Sequence, residues 1–154
     1  MNESMMSAST ADIPGQLHLT LPAMQDSLVE LAEAVEGLAE VEGWPSEAKF
    51  HVDLVLEELA QNIISYGYPN GRSGQFVVSI QRQGEALNIV IEDDGIPFDP
   101  FGLAEPNLEL SLDERAIGGL GVHFTRTLMD THRYQRVEGH NRVELTKSLT
   151  ADND

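Results

Sequence analysis

Residues Phe50–Tyr68 read FHVDLVLEELAQNIISYGY. Leu54, Val55, Leu59 and Ile63 recur at helical spacing, which predicts an amphipathic helix packed on a core. Glu58 and Asn62 lie four residues apart, one turn along and only about 40° round the axis, so they share one side of that helix. Glu57 stands about 140° from Asn62 and points elsewhere. A carboxylate stacked over a carboxamide suits hard-cation and general-base chemistry, because Mg²⁺ takes oxygen ligands and keeps its waters. The same pair is also ordinary helix surface, so on its own it decides nothing.

Working upstream, Pro45-Ser46-Glu47 supplies the start of this helix, and Gly43 ends an earlier one. That earlier helix, Ala23–Val41, carries Leu28, Leu31, Val35 and Leu38 as its stripe. Before it, Gln16–Thr20 alternates as a short strand, and Met1–Gly15 reads as a loose tail. Downstream, Gly67 and Pro69 stop the helix and Pro69-Asn70-Gly71-Arg72 makes a turn. Gln75–Arg82 and Ala86–Glu92, linked by Gln83-Gly84-Glu85, predict an antiparallel hairpin. Thr131–Val137 and Arg142–Leu149, linked across Glu138-Gly139-His140-Asn141, predict a second. Between the hairpins lie a polar stretch, Phe101–Gly121, of a length that is usually functional or mobile, and a helix over Leu120–Asp130. This order predicts an α+β fold: a two-layer sandwich, its mixed sheet mostly antiparallel, with helices on one face. One domain is expected over residues 16–149, between a flexible tail (1–15) and a frayed end (150–154).

The totals narrow the chemistry. At 154 residues and 41% apolar, the chain can bury a real core. It has no cysteine, which excludes disulfides, zinc–thiolate sites and thiol catalysis. Its five histidines show no metal-ligand spacing; those at 51 and 123 suit interfacial positions on helices. Trp44 is expected to plug an inter-helix corner, and Phe76, Phe98 and Phe124 to join the core. No apolar run has membrane-spanning length and no signal peptide is visible, so no membrane partner and a cytoplasmic location are expected. The formal charge of −17, from 26 acidic and nine basic residues, argues against direct nucleic-acid binding. It also repels free nucleotide, which would have to arrive with Mg²⁺ and meet local backbone donors.

Two further blocks carry chemistry. Asp93, at a strand end and followed by Asp94-Gly95, is suited to accept a hydrogen bond from an exocyclic amine such as adenine offers. Gly95 lets backbone approach a flat ring without a Cβ in the way. An acidic surface turn would look the same. Gly118-Gly119-Leu120-Gly121 opens a helix, where successive N–H groups form an anion cradle, though loops use such glycines too. It matches neither GxxxxGK[ST] nor GxGxxG.

Order and spacing make the combination specific. Glu58-Leu59-Ala60-Gln61-Asn62, then Asp93-Asp94-Gly95-Ile96-Pro97-Phe98-Asp99-Pro100, then Gly118-Gly119-Leu120-Gly121-Val122 resembles the N, G1 and G2 boxes of the GHKL (Bergerat-fold, histidine-kinase-like) ATPase superfamily. Tyr66-Gly67-Tyr68, the PFDP of 97–100 and the LMD of 128–130 are most similar to bacterial anti-sigma-factor serine/threonine kinases of partner-switching systems. The likeness runs from about Gln16 to Leu149.

The resemblance implies ATP and Mg²⁺ as ligands, with Asn62 holding the metal and Glu58 acting as general base toward a partner serine hydroxyl. It implies that Asp93 takes the adenine amine, that Gly95 packs beneath the ring, and that Pro97 adjoins them. Gly118, Gly119, Leu120 and Gly121 would bind phosphates beside a lid over 101–118, with Arg115 a candidate γ-phosphate contact. The implied activity is a serine/threonine protein kinase and anti-sigma factor that phosphorylates a STAS-type anti-anti-sigma partner and sequesters a sigma factor. Families of this kind usually dimerise, so a homodimer is expected. Two positions depart from the pattern: Tyr66, where His is frequent, and Glu144, where the last strand commonly has Thr. Were Glu144 beside Asp93, two acids would crowd one another and weaken nucleotide binding, unless Thr146 takes the place instead. The departures motivate an alternative, a non-catalytic ATP- or partner-binding module of the same fold. A detached histidine-kinase catalytic domain is a further alternative, disfavoured because no phosphoacceptor helix precedes residue 15.

Overall fold

The computed structural model describes residues 15–102, 125 and 127–150. The elements run β1 (Gln16–Pro22), α1 (Asp26–Glu42), α2 (Ser46–Tyr66), β2 (Gln75–Gln83), β3 (Ala86–Asp93), a 3-10 turn (Pro100–Gly102), β4 (Thr131–Val137) and β5 (His140–Ser148). The five strands form one sheet in the order β1-β2-β3-β5-β4, and every neighbouring pair is antiparallel. No helix among the described residues is long and apolar enough to cross a membrane.

Each helix forms where its apolar spacing requires. Ser27, Leu31, Val35 and Ala39 are the buried residues of α1, a strict i, i+4 stripe. Pro22 keeps the helix from starting at Ala23; the chain turns first, with the Ser27 hydroxyl donating to the Pro22 carbonyl at 2.6 Å. Gly43, at φ 67, ends α1 in the left-handed conformation, and the next N–H, on Trp44, reaches back to the Ala39 carbonyl at 3.0 Å. Pro45 precedes the first turn of α2, which buries Val52, Val55, Leu56 and Leu59 against the sheet.

Strand alternation does the rest. Leu21, Phe76, Val78, Ile80, Leu87, Ile89, Ile91, Val143 and Leu145 join the helices in one buried cluster. Alternate positions, among them Ser79, Asn88, Glu92, Arg142 and Glu144, lie on the other face of the sheet, which is polar. The two-layer α+β sandwich with helices on one face is therefore the fold, with a sheet antiparallel throughout the described residues.

One boundary differs in a way that matters. The second hairpin turns on two residues, Glu138 (φ 48) and Gly139 (φ 84), rather than four. Both are left-handed, as in a type I′ turn whose twist matches its strands. The β5 ladder thereby extends back through His140 and Asn141, and Asn141 becomes the partner of Asp93 on β3.

Candidate functional site

Asn62 sits on α2 among apolar neighbours and is 4% exposed. An amide in a helix's core stripe is unfavourable unless its polar atoms are bonded, yet Nδ2 has no partner among the described residues. Its surroundings explain the position. Asn62 lines a cavity of about 20 Å³ together with Leu59, Asp93, Phe98, Pro100 and Asn141. The cavity lies where the C-terminal part of α2 meets the C-terminal end of β3 and the beginning of β5.

Asp93 ends β3 pointing to the helix side, 6% exposed. Its Oδ1 accepts the Gly95 N–H at 2.8 Å and the Asn141 Nδ2 at 3.0 Å. None of its bonds among the described residues falls on Oδ2. Burial pushes the Asp93 carboxyl above its ordinary value; the donors from Asn141 and Gly95, and the charge of Arg136, pull against that shift. Asp94, next in line, faces the opposite way. It receives the Tyr68 hydroxyl at 2.6 Å and Arg72 at 3.4 Å, and the Tyr68 bond is the main reason its carboxyl is held low. The two acids thus have separate work: Asp94 ties down the loop after α2, and Asp93 faces the cavity.

Asn141 is the residue that sequence reasoning missed. Buried at 5% exposure, it donates from Nδ2 to Asp93 Oδ1 and to the Ile96 carbonyl at 2.8 Å. Its Oδ1 accepts from the Phe98 N–H at 3.1 Å, the Tyr134 hydroxyl at 2.7 Å and Arg136 Nη1 at 3.1 Å. One side chain therefore fixes the carboxylate and the backbone on both sides of Pro97. The signal that could have found it is the hairpin turn, since a two-residue link leaves Asn141 inside β5, where it pairs with Asp93.

The same register corrects the expectation for Glu144. It pairs with Val90, three residues from the Asp93 partner and on the polar face, where it meets Arg142 at 2.7 Å and Arg133 at 3.6 Å. It does not crowd Asp93. Thr146 is on that face too, its hydroxyl 2.7 Å from that of Thr131. Tyr66 packs beside Phe98, with ring centroids 6.3 Å apart.

The remaining predicted residues divide. Glu58 is half-buried one turn before Asn62, outside the lining of the cavity; burial above all, and Glu57 beside it, raise its carboxyl from its ordinary value. Gly95 is buried, and a Cβ there would lie 2.7 Å from the Gly67 carbonyl oxygen and 3.0 Å from Gly67 Cα. The end of α2 is thus one reason for a glycine at 95, independent of any ring. Pro97 is exposed and outside the lining. Arg115, Gly118, Gly119, Leu120 and Gly121, with Phe124 and the start of the helix expected at Leu120, lie outside the described residues. Thr125, Thr127 and Leu128 are helical, and the Met129 N–H bonds the Thr125 carbonyl at 3.2 Å.

The donor set decides what the site can hold. Among the described residues no three His, Asp or Glu side chains converge as a self-sufficient metal centre. A single carboxamide suits Mg²⁺ held mainly by phosphate oxygens and water. The unpartnered end of Asn62 fits that role, because exchanging amide nitrogen and oxygen leaves its shape nearly unchanged. Asp93 Oδ2 is an acceptor in an enclosed place, suited to an N–H donor.

A family model described as a histidine kinase-like ATPase domain matches residues 21–147. The chain is 28% identical over 131 residues to the serine/threonine-protein kinase BtrW of Bordetella bronchiseptica, covering 85% of this chain and 89% of that one. It is 23% identical over 141 residues to the serine-protein kinase RsbW of Bacillus subtilis, covering 88% and 87%. Among solved structures, the fold matches the RsbU and RsbW domains of a Mycobacterium tuberculosis protein with TM-score 0.66 at 17% identity, over 89% of this chain and 33% of that one. It also matches the SiaB–SiaC complex of Pseudomonas aeruginosa with TM-score 0.58 at 15% identity, over 92% and 99%. These structural likenesses bear on the fold.

Proposed function

Since this chain belongs to the histidine kinase-like ATPase domain family, we propose that it is an ATP-dependent serine/threonine protein kinase. We infer further that it is an anti-sigma factor, phosphorylating a STAS-domain partner and sequestering a sigma factor, in the cytoplasm and as a homodimer. The observation that carries the reading is the convergence of Asn62 and Asp93, from different elements, on one cavity, where among the described residues neither the Asn62 Nδ2 nor the Asp93 Oδ2 has a hydrogen-bond partner. Relatives named as serine kinases support the transfer activity.

In this reading Asp93 Oδ2 accepts the adenine amine while Asn141 and Gly95 hold Oδ1. Asn62 would hold Mg²⁺, whose charge would offset that of the phosphates. Glu58, its carboxyl raised by burial, takes the proton of a partner serine hydroxyl as that oxygen bonds the γ-phosphorus and the bond to the β–γ bridging oxygen breaks. Gly118, Gly119, Leu120 and Gly121 would meet phosphates, with Arg115 beside the γ-phosphate and Pro97 bordering the base. Positioning and charge neutralisation are most of what phosphoryl transfer needs.

A second reading is a module that binds partners without transfer. It is favoured by the size of the cavity, about 20 Å³, enough for a water and too small for a purine until Phe98 and Pro100 move. A labelled-phosphate assay with a STAS-domain protein separates the two. Glu58→Gln should lower transfer about 10²–10⁴-fold while MgATP affinity holds. Transfer at the wild-type rate in that variant would discard Glu58 as the base, and no MgATP binding by the wild type would favour the second reading.

A further inference from the structure

Among the described residues, Arg72, Arg82, Arg133 and Arg142 each pair directly with a carboxylate, on Asp94, Glu42, Glu144 and Glu92 in turn. Arg136, near the end of β4, does something else. Its Nη1 donates to the Gly95 carbonyl at 2.9 Å and to Asn141 Oδ1 at 3.1 Å. In a chain with 26 acidic and nine basic residues, a guanidinium placed on a carbonyl and an amide calls for a local reason.

The reason lies in the turn that follows Asp93. Its three successive carbonyls each accept from a side chain of a different element: Asp94 from Arg72 after α2, Gly95 from Arg136 on β4, and Ile96 from Asn141 on β5 at 2.8 Å. Asn141 does not need Arg136 to fix its orientation. Its Oδ1 has two lone pairs and already takes the Phe98 N–H at 3.1 Å and the Tyr134 hydroxyl at 2.7 Å. What Arg136 adds is charge. A cation on an amide oxygen polarises the amide and strengthens the donors on its nitrogen. One of those donors goes to Asp93 Oδ1 at 3.0 Å, so guanidinium, carboxamide and carboxylate form one chain.

We propose that Arg136 is a positioning residue of the Asn62–Asp93 site: acting through Asn141 and the Gly95 carbonyl, it steadies the Asp93 carboxylate and leaves Oδ2 as the acceptor for a ligand amine. The consequence for nucleotide rests on the ATP reading above; the effect on the carboxylate does not. Other groups face Asp93 as well. Tyr68 approaches from the chain after α2, Asp94 adjoins it, and Tyr134 comes from β4 with Asp99 acting on it in turn. Among the described residues that act on Asp93, Arg136 is the cation and Asp94 the opposing acid. Burial works against the Asp93 charge, so support from a cation is needed at this place.

The test follows the Asp93 carboxyl carbon by NMR in the full chain, labelled with ¹³C, with Asp93→Asn assigning the signal. Arg136→Gln should move the titration midpoint of that carboxyl to higher pH, because the ionised form has lost its cation. Arg136→Lys keeps the charge and should bring the midpoint most of the way back. Tyr134→Phe removes a neutral donor from the same Asn141 oxygen and should move the midpoint less than Arg136→Gln does. In parallel, Arg136→Gln should bind MgATP about tenfold more weakly than the wild type near neutrality, with Arg136→Lys between the two. Arg136 is an exposed residue, so its variants keep the fold. A midpoint unmoved in Arg136→Gln, or moved as far by Arg136→Lys or Tyr134→Phe, would overturn the proposal. So would a moved midpoint with MgATP affinity unchanged. A wild type that binds no MgATP would instead remove the ATP reading, and the carboxyl titration would still decide whether Arg136 steadies Asp93.

Discussion

Asn141 and Asp93 face each other across β5 and β3, and Nδ2 of the first donates to Oδ1 of the second at 3.0 Å. The bond leaves the other carboxylate oxygen to serve the cavity, and it belongs to the last pair of the β3–β5 ladder. Asn141→Ala should strip a donor from Asp93 and leave the Phe98 amide and Ile96 carbonyl without their partner. The expected loss is about 2–3 kcal/mol of stability, read from urea unfolding, together with weaker MgATP binding. An unchanged unfolding midpoint would show that the network stabilises nothing.

Asp93 ties stability to pH. Its carboxyl is raised by burial, so the folded state holds that proton more tightly than the unfolded chain does. Its contribution favours the folded state fully below about pH 4, and is lost as pH rises through the folded-state value. Asp93→Asn keeps an oxygen for Gly95 and Asn141 and carries no charge. This variant should lose that part of the pH dependence and be at least as stable near neutrality, while its new N–H₂ opposes the adenine amine and nucleotide binding falls. Unfolding midpoints from pH 4 to pH 7, paired with MgATP titration, check both halves.

Gly95 should not accept a methyl group. In Gly95→Ala the added carbon meets Gly67 backbone, which cannot swing aside as a side chain would. A loss of about 1–3 kcal/mol is expected in thermal or urea unfolding. Full stability with nucleotide affinity lost would instead make the ring the reason for the glycine.

Glu138 is held at φ 48 in an exposed turn, a conformation asparagine adopts more readily. Glu138→Asn should raise stability by about 0.5–1 kcal/mol, seen as a higher urea midpoint with unchanged slope.

The legible parts of the fold were those with long, regular patterns. Leu28, Leu31 and Val35 give α1, and Val55 and Leu59 give α2, because burial on one helix face imposes the 3.6-residue period. The alternation of β2 and β3 across Gly84 gives their hairpin. Asn62 and Asp93 were legible as a pair for a different reason: the order and spacing of their blocks resemble the N and G1 boxes of the GHKL superfamily. Asn141 was not. Its neighbours Glu138 and Gly139 lack the Asn-Gly or Asp-Gly signal of a two-residue turn, so the sequence pattern puts Asn141 in the link rather than in the strand. In the folded sheet Asn141 opposes Asp93, while Glu144 lies three residues on, opposite Val90 and on the polar face.

The small cavity sets the terms on which anything can enter. Phe98 leans on Tyr66, its amide is pinned to Asn141, and the Phe101 ring meets that of His132 at a tilt, centroids 4.5 Å apart, so the segment from 98 to 101 is held as an aromatic latch. A guest larger than water must prise that latch open, and its measured grip is the intrinsic grip multiplied by the fraction of molecules already ajar. Loosening the latch from its outer side would then tighten capture without altering one atom that the guest touches.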